Sequence, residues 1–278
     1  MKRSLSLLAG AVLVVVAAGF CIRTGMRERE RIGEALRDAE VVWLIAALLL
    51  AVAAMLVIAR GWGSCLALLG ERRPTSKVTG WWFVGELGKY VPGAVWPVVG
   101  RGELARRDGV RRTAAYHSVG LSLAAFYGAA ILPVAVVLAH PRVQRLAAGG
   151  ARRLSRGRVE LDVIGWRPLT RLLLEYLPSW ILIAAATVAV TEGYSADGGW
   201  QVAGATVLAW VCGFLALPVP AGAGVREAVF IATSGLDPGV AVTVAVTARL
   251  AFVVVDLLGA AVAAPAVGAR RREALTAR

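Results

Sequence analysis

The sequence predicts an all-α, polytopic integral membrane protein with about five to six transmembrane helices. Two Pro/Gly-broken re-entrant hairpins in inverted orientation complete the expected architecture. Three observations predict it. Of 278 residues, 58% are hydrophobic and only 18% charged, with a mean hydropathy of +0.68; a soluble domain could not wet that much apolar surface. Apolar runs of ~20 residues, the length that crosses a bilayer core, recur along the chain. Two of those runs are broken by proline and glycine, with an acid and a base at each break. The longest polar stretch, about 141–168, falls short of the ~50 residues of a soluble domain. The chain therefore reads as one transmembrane domain, 1–278, with no appended catalytic module.

Taken in order, residues 1–21 place Lys2 and Arg3 before a long apolar run. That is the layout of a signal peptide, but no clean small-x-small cleavage site precedes Cys21, so a signal anchor is expected. Residues 22–40 balance five arginines with five acids, as a short solvated helix would. Val41 to Ala59 is a clean span. Arg60, Arg72, Arg73 and Lys77 follow it and mark the cytoplasmic side.

The first broken hairpin is expected at about 81–100, followed by Arg101, Arg106, Arg107, Arg111 and Arg112. Thr113 to Ala139 is apolar. The basic loop 141–168 carries seven arginines and reads as an amphipathic surface helix. Leu169 to Val190 is another span. The turn 191–200 holds Glu192 and Asp197 without a base, which points outward. The second broken hairpin covers about 201–236. Pro238 to Ala264 is the last span, and the arginines at 270–272 predict a cytoplasmic C-terminus.

The net charge of +13 is carried mainly by arginine. In a membrane protein such residues flank spans and meet anionic headgroups, so nucleic acid is not the expected partner. Cys21, Cys65 and Cys212 are scattered, as are His117 and His140; no metal or disulfide spacing results.

The chemistry concentrates at the two breaks. In the first, Glu86 and Lys89 sit beside Pro92 and Gly93. In the second, Arg226 and Glu227 follow Pro218, Pro220, Gly222 and Gly224. Proline inside a helix leaves backbone groups unbonded, and in hydrocarbon these survive only within protein or along a polar cavity. A base at membrane depth costs about 2.5–3.5 kcal/mol on insertion scales, which an anionic ligand could offset; an ordinary proline kink with snorkelling charges is the other reading. A helix starting near Val225 would add its free N–H groups to such a site. Arg249 and Asp256 are seven residues apart, about 10 Å along one helix face. They can line one interior without pairing to each other.

Charge counting has the first break enter and leave from the cytoplasm and the second from outside. The count then conflicts around 101–168. A single crossing by Thr113 to Ala139 puts the arginines after Pro141 outside. A full span at 81–100 instead puts Arg101 to Arg112 outside. Two half-helices meeting at Gly128 are a third solution, and the sequence leaves all three open.

The stretch GELGKYVPGAVWPVVGR, residues 85–101, together with PVPAGAGVREA, residues 218–228, resembles the two signatures of the lysylphosphatidylglycerol synthase transmembrane-region family of flippase-like membrane proteins. The resemblance runs over nearly the whole chain. It implies an all-helical membrane fold with paired re-entrant hairpins, acting on anionic, modified or polyprenyl-phosphate-linked lipids. It carries over Lys89, Tyr90, Pro92, Gly93, Trp96 and Arg101 in the first motif, and Pro220, Gly222, Gly224, Arg226 and Glu227 in the second. The stretch from Arg112 to His140 departs from it, being short for the two spans usual there. Aminoacylation does not follow, since the chain has no room for the synthase domain.

The functional expectation is a stand-alone, non-enzymatic lipid translocase of the cell membrane, with no cofactor and no metal. Lys89, Arg101 and Arg226 would attract the headgroup. Trp81, Trp82 and Trp96 would anchor the site near the interface, and Glu86, Glu227 or Asp256 could carry a coupling proton. The sequence has no nucleotide motif, so transport would be gradient-driven or downhill. Two alternatives stand beside it: an intramembrane lipid-modifying enzyme, and a non-transporting partner of a glycosyltransferase or synthase that docks through 142–158.

Overall fold

A computed structural model describes residues 39–90, 95–130, 165–216 and 220–276, the backbone alone at 220 and 268–276. The expected signal anchor, most of the solvated segment, most of the basic loop, and Pro92 and Gly93 lie outside the described residues. Among the described residues all regular structure is helical. The helices are α1 (Val41–Leu68), α2 (Thr75–Glu86), α3 (Trp96–Arg107), α4 (Arg112–Ala130), α5 (Trp166–Glu192), α6 (Gly199–Leu215), α7 (Val225–Thr233) and α8 (Pro238–Thr276). A 3-10 turn at Leu87–Tyr90 follows α2, and another at Pro220–Gly222 precedes α7.

Three segments are long and apolar enough to cross a membrane: Val41–Leu68, Trp166–Glu192 and Pro238–Val267. They make this a membrane-embedded chain. Helix α1 is apolar all round from Val41 to Ala59, as a membrane-spanning helix is. Its small residues Ala47, Ala51, Ala54 and Ala59 are buried and let neighbouring backbones approach. Between helices in lipid, packing and hydrogen bonds replace the hydrophobic drive. The α1–α5 contact is the most extensive among the described helices. Beside it, Trp62 Nε1 donates to Ser118 Oγ at 3.0 Å, and the Ser122 and Tyr176 hydroxyls share a bond of 2.7 Å. Phe126 stacks on Trp180 at 4.4 Å, whose Nε1 donates to the Phe126 carbonyl at 2.7 Å. Trp81 and Trp82 belong to this core, 4% and 2% exposed, with Trp81 edge-on to Trp62 at 6.3 Å. Burial in the helix core takes both away from the interfacial anchoring role.

Polar contacts fix which helix ends lie together. Past the C-terminus of α1, Arg73 donates to the Gly109 carbonyl at 2.9 Å, and Arg111 donates to the Leu69 carbonyl at 2.8 Å and to Glu71 at 2.9 Å. Lys77 pairs with Asp108 at 2.7 Å. The start of α2 and the end of α3 therefore meet at that end of the molecule. The Arg111 guanidinium and backbone N–H hold the Glu71 carboxyl below its ordinary value. At the opposite end, the N–H of Glu40, just before α1, donates to the Gly193 carbonyl at 2.8 Å. There the start of α6 and the residues after α7 meet, with Gly235 against the Gln201 side chain.

Helices α2 and α3 thus form one hairpin and α6 and α7 another. Their mouths are at opposite ends of α1, and their two 3-10 turns pack against each other between those ends. Helix α4 runs without interruption through Gly128, so a helix break at that glycine does not occur. The connection between α4 and α5 lies outside the described residues.

Candidate functional site

Each hairpin closes because glycine takes the contact position. A Cβ on Gly85, in the last turn of α2, would lie 2.5 Å from Arg101 Cγ and 2.8 Å from the Arg101 backbone nitrogen. Pro97 sits in the first turn of α3, where its missing N–H costs no hydrogen bond. In the second hairpin a Cβ on Gly222 would lie 2.7 Å from Gly213 Cα. Ala221, Gly222 and Gly224 all have positive φ, at 49°, 63° and 80°. That left-handed run reverses the chain within a few residues, and it strains the one alanine in it.

Around the meeting turns lies a cavity of about 160 Å³. Its charged lining comes from three sources. The first hairpin supplies Glu86, Lys89 and Arg101, the second supplies Arg226, and α8 supplies Arg249 and Asp256. Tyr90 and Gly222 also line it, with Tyr127, Trp210, Gly213, Phe214 and Phe252 completing much of the wall.

Helix α8 ties both hairpins down with opposite polarity. Asp256, fully buried, receives Lys89 Nζ and the Tyr90 hydroxyl on the same oxygen, Oδ2, each at 2.7 Å. Arg249 pairs with Glu227. The two α8 charges do not pair with each other; each takes its partner from a different hairpin. Lys89 also stands 3.5 Å from Glu86, and Arg101, 3% exposed, is 3.8 Å from it. Glu86 Oε2, Asp256 Oδ1 and Trp210 Nε1 are buried without a hydrogen bond among the described residues.

Arg226 differs from the other cations. Its guanidinium lies over the Trp210 ring at 3.8 Å and within 5.6 Å of the Phe252 ring. No carboxylate pairs with it among the described residues. A cation held on aromatic faces in a half-buried cavity keeps its hydrogen-bond donors for something else.

Several expected site residues stand elsewhere. Trp96 is 47% exposed at the start of α3 and outside the cavity wall, whereas its neighbours Pro97 and Val98 line the cavity. Gly224 is the residue before α7. Its N–H donates to Glu227 Oε2 at 2.6 Å, so the helix start is capped by its own carboxylate and is not an open anion site. Glu227 lines a second, smaller space of about 20 Å³ with Thr187, Thr206 and Arg226, room for about one water. The backbone of Pro220 is in the second turn. Tyr127, Trp210, Phe214 and Phe252 were not expected at the site. Phe252 lies between Arg249 and Asp256 on α8, a placement that marks it in the sequence. Tyr127, Trp210 and Phe214 sit in apolar stretches with no charge to mark them, and the close approach of Gly213 to Gly222 brings α6 to the cavity.

No family model matches the chain, and no curated protein sequence matches it.

Proposed function

We propose that this protein is a flippase-like lipid translocase of the cell membrane. It moves an anionic or lipid-linked substrate, such as a polyprenyl-phosphate-linked sugar or a modified phospholipid, by passing its headgroup through the cavity while the tails stay in lipid. The observation that carries this reading is Arg226, a cation without a carboxylate partner among the described residues, facing the cavity where the tips of two opposed hairpins meet.

Helix lengths support the membrane geometry. Helices α2 and α3 have 12 residues each, or about 18 Å, against a core of about 30 Å. Each is too short to cross, which supports reading the first hairpin as re-entrant with its tip near the midplane. Arg72, Arg73, Lys77, Arg106, Arg107 and Arg111 gather at the mouth of the first hairpin, while Glu192, Asp197 and Asp237 flank the second. The positive-inside rule then makes the first mouth cytoplasmic, and α8, running from the other end, leaves the C-terminus there too. The resemblance of 85–101 and 218–228 to flippase-like proteins agrees with this reading. Broken helices around a central site are how many transporters hold a polar substrate at membrane depth.

The test is a vesicle assay with the purified chain. Fluorescent phosphatidylglycerol in the inner leaflet becomes quenchable from outside when the protein moves it. The wild type is expected to expose the inner pool, and Arg226→Ala to lose that activity with its folding intact. Equal activity in protein-free vesicles, or full activity in Arg226→Ala, contradicts the reading.

A further inference from the structure

The charge balance of the cavity limits which anions it accepts. Four cations, Lys89, Arg101, Arg226 and Arg249, face or line it. Among the described residues three carboxylates answer them: Glu86 and Asp256 in the wall, and Glu227 behind Arg249. With all of these groups ionised the cluster keeps one positive charge, and geometry assigns that charge to Arg226. Lys89 is matched by Asp256 at 2.7 Å, Arg249 by Glu227, and Arg101 by Glu86 at 3.8 Å.

We infer that the cavity selects a headgroup with a single negative charge, a phosphodiester monoanion, and places its phosphate on Arg226. The inference rests on the proposed function and narrows its substrate class. A phosphodiester neutralises the cluster. A phosphate monoester, whose second proton leaves at a pKa of about 6, brings a second negative charge into a low-dielectric site with no unmatched cation to meet it. A zwitterionic headgroup brings an ammonium group beside Lys89 and Arg249 and leaves the surplus positive charge in place. Each mismatch leaves a net charge in a poorly solvated space, which is costly.

The accessible wall fits the same ligand. The Tyr127 side chain reaches the cavity, and neither its hydroxyl nor the Arg226 guanidinium has a hydrogen-bond partner among the described residues, whereas the orphan carboxylate oxygens are covered. Donors thus face the space, and the non-bridging oxygens of a phosphodiester accept from them. Diacyl phosphatidylglycerol and a polyprenyl phosphosugar share this chemistry, as does a soluble glycerophosphodiester.

The test is competitive lipid retention by the full chain in detergent at pH 8, read by native mass spectrometry. The mixture holds dioleoyl phosphatidylglycerol, phosphatidic acid and phosphatidylethanolamine at equal concentration; a second mixture holds polyprenyl phosphoglucose and polyprenyl phosphate. Soluble glycerophosphoglycerol is added in a parallel arm. The monoanion is expected to exceed the dianion and the zwitterion by about tenfold. The better retained of phosphatidylglycerol and the phosphosugar identifies the source, and displacement by glycerophosphoglycerol alone would identify a soluble ligand. Two variants shift the balance in opposite directions. Glu86→Gln adds one positive charge and should move the preference to phosphatidic acid. Arg226→Gln removes one and should abolish the preference for the monoanion. Equal retention of mono- and dianions by the wild type overturns the charge matching while leaving anionic-lipid transport intact. Preference for the zwitterion overturns both. Wild-type ranking in both folded variants also overturns the inference, and the wild-type ranking decides alone if neither variant folds.

Discussion

Lys89 Nζ lies 2.7 Å from Asp256 Oδ2 and joins the tip of the first hairpin to the middle of α8. The pair is 167 residues apart in sequence, and the neighbouring Tyr90 hydroxyl bonds the same oxygen at 2.7 Å. Breaking a buried pair from one side costs about 3–5 kcal/mol, whereas replacing both partners with apolar groups is far milder; without Asp256, Lys89 keeps only the longer contact to Glu86 at 3.5 Å. Asp256→Leu alone should therefore lower the unfolding midpoint in detergent strongly. Lys89→Met/Asp256→Leu should recover more than half of that loss. Additive losses in the double variant would show that the two side chains act independently.

Gly222 should reject any side chain. At φ 63° and with a Cβ 2.7 Å from Gly213 Cα, Gly222→Ala meets both backbone strain and a backbone clash, about 1–3 kcal/mol each way. Gly204, on the exposed side of α6, has nothing within 4 Å of its would-be Cβ. Gly204→Ala should be neutral or stabilising by up to about 1 kcal/mol. Thermal unfolding of the two variants side by side checks the contrast.

Opposed hairpin mouths predict opposed accessibility. In a version with its native cysteines replaced, Arg73→Cys should react with a membrane-impermeant maleimide only after the cytoplasmic face is opened. Asp197→Cys should react in intact cells. Labelling of both from one side would refute the inverted arrangement.

Glu71 gives a pH signature outside the membrane-spanning segments. Arg111 holds its carboxyl below the ordinary value of 4.5. Its contribution is thus complete above that value and disappears as pH falls through the lower folded-state pKa. Glu71→Gln should melt below the wild type at pH 7, and the gap should narrow in scans taken below about pH 4. A gap independent of pH would point to packing and not to charge.

Much of the site was legible because it breaks a rule. Proline, glycine and paired charges inside apolar runs are costly in lipid, so 85–93 and 218–227 stand out at once. Arg249 and Asp256 stand out for the same reason, and their seven-residue spacing already forbids a mutual pair. Their partners were not legible, since Glu227 and Lys89 are brought to them only by the fold. The aromatic bed under Arg226 was legible only in part: Phe252 lies between Arg249 and Asp256 on α8, whereas Trp210 looks like any lipid-facing aromatic until Gly213 and Gly222 close the second hairpin. Trp81 and Trp82 misled in the other direction. A double tryptophan beside a basic segment reads as interfacial, yet both rings are buried in the core, Trp81 edge-on to Trp62 and Trp82 edge-on to Phe83.

The most direct test of the central claim is to fill the cavity and watch transport. Val253, half-buried on α8, lines the space, and cysteine is a small change there. In Val253→Cys, with the native cysteines replaced, a benzyl methanethiosulfonate reagent should add a group that occupies much of the cavity. Lipid exposure in vesicles should stop on modification and return when a reductant removes the group. Transport that continues with the cavity filled would contradict a route through the meeting point of the two hairpins.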